Sequence, residues 1–258
     1  MLVAVYGNLI WDQIVTIDTP LTPGASHDCS VIRSQAGGVA NFCRAAEGLK
    51  HDFVTGVSSS VGHDGLWMIE YLRGLGVGTG IEVTTQPTSK AVVIADRATR
   101  TRTGMVQWGA CRRRTSWPPA ASADLHHYMY VDRMTINTVP DHGLVTADFC
   151  DSRNVHEYGE FLRHVDYLFV SENEERPFHK HECPKVRRGV IVHSPQECYV
   201  LEGGGRSQWL IPDLIGGLNV VGAGDYFSAF CVAKILTTGK PDLLWAHQRT
   251  VELLRRQS

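Results

Sequence analysis

Residues 219–230 read NVVGAGDYFSAF and open the most uniformly apolar stretch of the chain. In the run DYFSAFCVAKIL (225–236) only Ser228 and Lys234 are polar after the leading aspartate. A helix that is apolar on nearly all sides is buried on most of them. We therefore predict a buried helix that ends at Gly239, where a glycine commonly closes a helix.

The start of this predicted helix has the composition of an anion site. Gly222, Ala223 and Gly224 let a ligand approach the backbone closely, and the first amides of a helix have no internal partner and carry partial positive charge. Asp225 follows directly, and a carboxylate there suits a base that deprotonates a hydroxyl attacking a phosphorus atom held by those amides. The simpler alternative is that Asp225 caps the helix.

The rest of the chain alternates short apolar runs with helical patterns. Such alternation indicates an α/β fold with a mostly parallel sheet covered by helices on both faces. The predicted strands are 2–7, 53–57, 128–132, 144–149, 166–171 and 189–194, the predicted helices are 37–49 and 64–77 (with Asp64 as N-cap), and 155–165 is predicted as helix or loop. The β-rich pieces at 14–34 and 91–107 break the alternation, so we assign them to a small sheet, or lid, projecting from a single domain of residues 1–258.

Composition excludes several classes of partner and site. The chain has 258 residues, 43% hydrophobic residues and a net charge of −2, so neither nucleic acid nor an anionic membrane is predicted as a partner. Seven cysteines without repeating spacing, an N-terminus without a basic leader and the lack of an 18-residue apolar run predict a cytoplasmic protein. HKHEC (179–183) has no second ligand pair nearby, so no metal site is predicted from it. The chain has no P-loop motif, which excludes a P-loop enzyme. It also has no G-x-G-x-x-G after the first strand, which argues against a dinucleotide-binding dehydrogenase.

Four motifs together resemble the ribokinase-like (PfkB) carbohydrate kinases. They occur in family order at family-like spacing, and the resemblance spans about residues 2–247. The motifs are GNLIWD (7–12), QAGGVANFCRAAEGL (35–49), SSVGHDGLWMIEYLRGLGV (59–77) and VVGAGDYFSAF (220–230). Within the family, YMYVDR and YLFVSENE are similar to ketohexokinase-like members.

The resemblance implies a doubly wound sheet with a β-sheet lid, and transfer of the γ-phosphoryl group of ATP, with Mg²⁺, to a hydroxyl of a sugar or sugar-like molecule. It implies that Asp225 is the general base and that the amides of Gly222, Ala223 and Gly224 form the anion hole. The implied substrate contacts are Asp12, Gly37, Gly38 and Asn41, to which Arg133 is added, and the implied nucleotide contacts are Asn173, Glu175 and His193. Family members often pair through their lids, which implies a possible homodimer.

The nucleotide side departs from the family pattern in three places. Arg176 stands where the family's N-x-x-E has glutamate, His193-Ser194-Pro195 replaces T-x-G, and Asn219-Val220-Val221 replaces Asp-Thr-Thr. The last change leaves dependence on a monovalent cation open. Two alternatives therefore stand beside the sugar kinase: a catalytically impaired, kinase-derived protein that binds a sugar or nucleoside, and a nucleoside kinase of the same fold. For Asn41 the alternative role is a helix N-cap.

Overall fold

The structure is a computed structural model. It describes residues 1–49, 54–99, 101–111, 114–115, 122–131, 134–136, 138–149, 155, 157–172, 185–194, 196–212 and 221–257. The strands are, in chain order, β1 (Leu2–Tyr6), β2 (Leu9–Ile17), β3 (Cys29–Gly38), β4 (Val54–Gly62), β5 (Gly78–Thr84), β6 (Lys90–Asp96), β7 (Thr101–Gln107), β8 (Arg114–Thr115), β9 (Leu125–Tyr128), β10 (Met134–Thr135), β11 (Leu144–Phe149), β12 (Tyr167–Ser171), β13 (Gly189–His193), β14 (Cys198–Glu202) and β15 (Gly205–Leu210). The helices are α1 (Val39–Glu47), α2 (Leu66–Gly74), α3 (Gly159–Leu162), α4 (Ala223–Thr238) and α5 (Leu243–Gln257), with a 3₁₀ turn at His63–Gly65 before α2.

A nine-stranded sheet forms the body of the protein, in the order β15-β14-β13-β12-β11-β9-β1-β4-β5. The strands from β13 to β5 pair in parallel, and β14 and β15 add an antiparallel edge. Successive strand residues face opposite sides, so Val3 and Val5 pack in one apolar cluster with α1, α2, α4 and α5, while Ala4 and Tyr6 pack in another with α3. Both faces are therefore covered, which confirms the predicted doubly wound α/β fold.

A separate four-stranded sheet, in the order β3-β2-β6-β7, is the lid sheet. Residues paired across a ladder share a face, so Asp12, Ile14 and Thr16 of β2 lie on the same face as Ala91, Val93 and Ala95 of β6. Ile14 and Ala95 pack with Val221, which immediately precedes α4. This inner face of the lid sheet therefore covers the start of the helix that carries Asp225.

Two details of the sequence prediction need correction. The strand expected at 128–132 is β9, at Leu125–Tyr128: its register pairs Leu125 with Val3 of β1, and by Tyr130 the backbone has turned to a φ of 59°. The buried apolar side chains beyond Tyr128 gave the false signal. The stretch at 155–165, predicted as helix or loop, contains among the described residues α3, a single turn at Gly159–Leu162.

Asp64 does not cap a helix, which is the second correction. It accepts hydrogen bonds from the Thr88 backbone N–H (2.9 Å) and hydroxyl (2.7 Å) and pairs with Lys90 Nζ (3.1 Å). The residue that precedes α2 is Gly65, and no side chain caps that helix. Asp64 instead ties the turn before α2 to the start of the lid strand β6.

The sequence analysis did not predict the hairpin β14–β15 or helix α5. In the part of the chain that the structure describes, no helix is both long and apolar enough to cross a membrane.

Candidate active site

The predicted site residues that the structure describes lie where the carboxyl ends of β1 and β13 face the first turn of α4 and the lid sheet. In doubly wound sheets this edge is the usual ligand-binding edge. Helix α4 begins after Gly222, which has a left-handed φ of 82°, and no side chain in the described part of the chain caps it. Its first amides are therefore available to an anion. The capping alternative for Asp225 is wrong, because Asp225 lies within the first turn and bonds elsewhere.

The Asp225 carboxylate is held by two donors at the mouth of α4. Asn41 Nδ2 donates to Oδ2 at 2.8 Å, and the Tyr130 hydroxyl donates to Oδ1 at 2.8 Å. Each carboxylate oxygen has a second lone pair, so both remain able to accept a proton. The two bonds fix the direction of the carboxylate and favour its ionised form.

Asn41 comes from the first turn of α1 and packs against Gly222. A Cβ at Gly222 would lie 2.8 Å from Asn41 Nδ2, so glycine is required there by this contact as well as by its backbone conformation. The residue before α1 is Gly38, and no side chain caps the helix. The N-cap alternative for Asn41 is therefore wrong.

Asp12 and the glycine pair form one unit within the lid sheet. Strand pairing sets Asp12 opposite Gln35 and Ile10 opposite Gly37, and the Asp12 carboxylate occupies the space that a Cβ at Gly37 would need. A Cβ at Gly38, which has a φ of 62°, would overlap the Asn8 carbonyl oxygen. Both glycines are thus required by close packing around the Asp12 carboxylate and the end of β1.

His193, the last residue of β13, lies beside the amides at the start of α4. A Cβ at Gly224 would be 3.3 Å from His193 Cε1, and the imidazole is 5.8 Å from the Phe227 ring, centroid to centroid. Nε2 of His193 is buried and has no hydrogen-bond partner among the residues that the structure describes. A buried N–H or lone pair without a partner is costly, so this nitrogen is suited to a bound ligand.

Arg102 brings a positive charge from the lid sheet toward the site. It is paired with Ala95 across β7 and β6, which puts it on the inner face together with Asp12. Its charge lowers the pKa values of Asp12, Asp225 and His193.

The electrostatics of the site follow from burial and like charge. Burial and the charge of Asp225 together raise the pKa of Asp12 to about 7, against the opposing charges of Arg44 and Arg102. Burial also raises the pKa of Asp225, while the bonds from Asn41 and Tyr130 and the charges of the two arginines lower it. Burial lowers the pKa of His193 to about 4, so its imidazole is neutral at pH 7.

Arg133, Asn173 and Glu175 lie outside the described residues, as do Arg176, Pro195 and Val220, which carry departures from the family pattern, and the segment 179–183. Within the described ranges, no group of three or more His, Cys, Asp or Glu residues could hold a metal ion.

Three site residues were not predicted from the sequence: Tyr130, Arg44 and Arg102. Tyr130 was hidden by the error in β9: once that strand ends at Tyr128, residue 130 falls at the ligand-binding edge. Arg44 could have been found from its i, i+3 spacing to Asn41 on one face of α1. Arg102 required the pairing register of the lid sheet.

The model of the pfkB family carbohydrate kinases matches residues 1–243. The chain belongs to that family. Its fold is also that of solved family structures, although sequence identity is low. A Methanocaldococcus jannaschii nucleoside kinase, described as an archaeal member of the ribokinase family, shares 18% identity with a TM-score of 0.70, over 96% of this chain and 88% of that one.

Two ribokinases give similar values. That of Thermotoga maritima shares 16% identity with a TM-score of 0.69, over 98% of this chain and 92% of that chain. That of Cryptococcus neoformans var. grubii, solved in complex with ADP, shares 18% identity with a TM-score of 0.69, over 98% and 90%. No curated protein matches the sequence. Membership of the pfkB family confirms the predicted family, while the kinship with ketohexokinase-like members stays a prediction.

Proposed function

We propose that this pfkB family member transfers the γ-phosphoryl group of ATP to a hydroxyl of a sugar or nucleoside, with Asp225 as general base. The observation that carries the proposal is the placement of an oriented carboxylate in the first turn of α4, beside uncapped amides. Phosphoryl transfer requires a base at the attacking hydroxyl and fixed donors at the transferring group. Here the base, Asp225, directly follows the residues whose amides would be the donors, 222–224.

In this mechanism the amides of Gly222, Ala223 and Gly224 stabilise the negative charge that grows on the transferring phosphoryl group. Asp225 accepts the proton of the attacking hydroxyl on a lone pair left open by Asn41 and Tyr130. Burial raises the pKa of Asp225, and the bonds from those two residues oppose that rise. A neutral His193 would donate or accept one hydrogen bond at the phosphate, and Arg102 would add a positive charge from the lid sheet.

The substrate side is formed by Asp12, Gly37, Gly38 and Asn41. A carboxylate and a side-chain amide suit adjacent hydroxyl groups, which both donate and accept hydrogen bonds. The similar structures include ribokinases and a nucleoside kinase, so their printed names agree with either acceptor. A ribose ring is common to both kinds of substrate and is the acceptor we propose to examine first.

Mg²⁺ would neutralise charge on the ATP phosphates when bound. Asn173 and Glu175, which the family pattern assigns to the nucleotide side, lie outside the described residues. No step above is therefore assigned to the ion, and the described residues act on the acceptor and the transferring group.

The rival is a kinase-derived protein that binds a sugar or nucleoside without turning it over. His193 favours this binding protein. Its imidazole lies against Gly224, where a phosphate would approach the amides, and His193 replaces the family's hydroxyl-bearing residue. The same ring would weaken ATP binding if it does not turn its free Nε2 toward the phosphate.

One panel separates the two functions. Sugars and nucleosides are each incubated with the protein, ATP and Mg²⁺, ADP release is measured, and the product is identified by mass spectrometry. The kinase predicts ADP release that depends on one acceptor and a product heavier by one phosphoryl group. Thermal stabilisation by a sugar or nucleoside without such a product would support the binding protein and contradict the kinase.

We also propose that the protein forms a homodimer through the outer face of the lid sheet. That face is apolar and incompletely covered: Ile32 is 70% exposed and Met105 is 55% exposed. Val15, Val92 and Ile94 lie on the same face by their pairing. An exposed apolar surface of this kind is typical of a protein contact.

A further inference from the structure

Arg44 lies behind the candidate base, in the last turn of α1. Its guanidinium donates from Nε to the Tyr71 hydroxyl (2.8 Å), from Nη1 to Asn41 Oδ1 (2.9 Å) and the Tyr226 hydroxyl (2.8 Å), and from Nη2 to the Ala36 carbonyl oxygen (3.2 Å). These bonds use four of its five N–H groups. The side chain is half-buried and has little freedom to move.

The contacts of Asn41 allow one orientation of its amide. Arg44 can only donate, so it must face Oδ1, and an ionised Asp225 can only accept, so it must face Nδ2. If the amide were turned over, an N–H would face the guanidinium and an oxygen would face the carboxylate. Arg44 thus determines which end of Asn41 reaches Asp225.

The partners of Arg44 leave its charge available to the site. All four acceptors just described are neutral groups, two hydroxyls, one amide and one carbonyl. The positive charge lowers the pKa of both Asp12 and Asp225. Arg44 therefore acts on the base in two ways, through the amide of Asn41 and through space.

We propose that Arg44 is a positioning residue for the base: by fixing the amide of Asn41 it holds Asp225 in one direction and in its ionised form. Arg44 does not touch the reacting atoms. Its effect on turnover rests on the proposed function, but its effect on Asp225 is a property of the substrate-free protein. The effect of Arg44 on Asp225 and its effect on turnover can therefore be tested separately.

The direct test is an NMR titration of the Asp225 side-chain carboxyl carbon in the substrate-free protein. Wild type is compared with Arg44→Met, Asn41→Ser and the double variant. The groups that act on Asp225 are otherwise unchanged: Asp12 and Arg102 from the lid sheet, His193 from β13 and Tyr130 after β9. Thermal melting of each variant verifies folding, and Arg44→Lys, which retains the stem and charge, is used if Arg44→Met does not fold.

Each single variant should raise the pKa of Asp225. Arg44→Met removes a positive charge and lets the amide turn, and Asn41→Ser removes a donor. The double variant should show less than the sum of the two shifts, because the part of the Arg44 effect that passes through Asn41 is already lost. Arg44→Lys should give a smaller rise than Arg44→Met, since one ammonium group retains the charge but cannot reach all four acceptors.

Arg249 provides a matched control. It lines the same cavity of about 330 Å³ between α1, α4 and α5 as Arg44, but it pairs with Glu252 (2.7 Å) and lies over the Phe230 ring. Arg249→Gln should leave the pKa of Asp225 unchanged. An unchanged pKa in Arg44→Met, or fully additive shifts in the double variant, would overturn the proposal.

Kinetics give a second readout once the acceptor is known. Arg44→Met should lower kcat roughly 10- to 100-fold with little change in the KM for ATP, because misplacing a catalytic group by a fraction of an ångström weakens the chemical step. Shifted titrations without any turnover in wild type would contradict the proposed function and leave the positioning role standing. Normal kcat in a variant with a shifted titration would overturn the role in turnover.

Discussion

At the scale of single residues, two carboxylates with like charge share one partly buried pocket. Asp12 is 7% exposed, and burial together with the charge of Asp225 raises its pKa to about 7. Such arrangements lower stability and are characteristic of functional sites. The protein tolerates the pair because Arg44 and Arg102 oppose it from two sides.

Asp12→Asn should therefore stabilise the protein at high pH and not at low pH. Below about pH 4 Asp12 is protonated in the folded and unfolded states alike, so its burial has no net electrostatic effect. As pH rises from about 4 to 7 only the unfolded state loses this proton, and the folded state is disfavoured by up to about 4 kcal/mol. Denaturant unfolding at pH 4 and pH 8 should show a gain in the free energy of unfolding at pH 8 alone.

Asp28→Asn is the control, because this carboxylate is exposed in the loop between β2 and β3. It should change stability equally at both pH values. An equal gain from Asp12→Asn at pH 4 and pH 8 would contradict the raised pKa of Asp12.

The sequence predicted the site residues that belong to contiguous motifs, and the structure brings the described ones together. Gly37, Asn41 and Asp225 each stand in a run whose glycine content or polarity is unusual for its surroundings. Tyr130 has no such local signal, because its contact with Asp225 joins residues that are 95 positions apart. Arg44 has a local signal in its three-residue spacing to Asn41, whereas its bond to Tyr226 spans 182 residues.

At the scale of elements, helix α4 unites the base and the anion-binding amides because of its first residues. Gly222 and Gly239 flank it, and both have left-handed φ values, 82° and 80°. The sequence predicted both ends of this helix since glycines mark them. It placed β9 three residues too late, because burial continues beyond the last paired residue and apolar composition alone cannot mark where pairing ends.

The two glycines form a matched pair of substitutions. Gly222→Ala and Gly239→Ala should each destabilise the protein by about 1–2 kcal/mol, the cost of a left-handed conformation with a Cβ. A Cβ at Gly222 would also displace the Asn41 amide, whereas nothing lies within 4 Å of one at Gly239. Activity at a temperature where both variants are folded should fall roughly 100-fold in Gly222→Ala alone. Equal activity in the two variants would contradict the role of the Gly222–Asn41 contact.

The lid sheet offers a second comparison at this scale. Arg102→Gln removes a positive charge from its inner face and should lower kcat about tenfold or more, by weakening stabilisation of the transferring group. Arg97, also in the lid region but paired with Asp18 at 3.5 Å, provides the control Arg97→Gln. Steady-state kinetics with ATP and the identified acceptor measure the kcat of both variants. A similar kcat in the two variants would show that Arg102 does not act on the reaction.

At the scale of the whole molecule, the sheet, the lid sheet and α4 converge on one edge. The order of the four sequence motifs predicted this arrangement. The outer face of the lid sheet is the surface that we propose contacts a second copy of the chain. Its apolar residues are not used to cover the site.

A homodimer through this face should be visible by sedimentation velocity and should dissociate in Met105→Glu. Leu244→Glu is the control, because Leu244 lies on α5, away from the lid sheet, and both residues are 55% exposed. The control should sediment like wild type. A wild-type protein that stays monomeric at tens of micromolar, or a Met105→Glu variant that stays dimeric, would contradict the proposed interface.

The most direct test of the central claim is the rate of phosphoryl transfer by Asp225→Asn, measured as ADP release and phosphorylated product with the acceptor found in the panel. Loss of the base should reduce kcat roughly 10²- to 10⁴-fold, while calorimetry should show acceptor binding close to that of wild type. Wild-type turnover by Asp225→Asn would contradict the account, because the reaction would then not depend on the carboxylate at the start of α4.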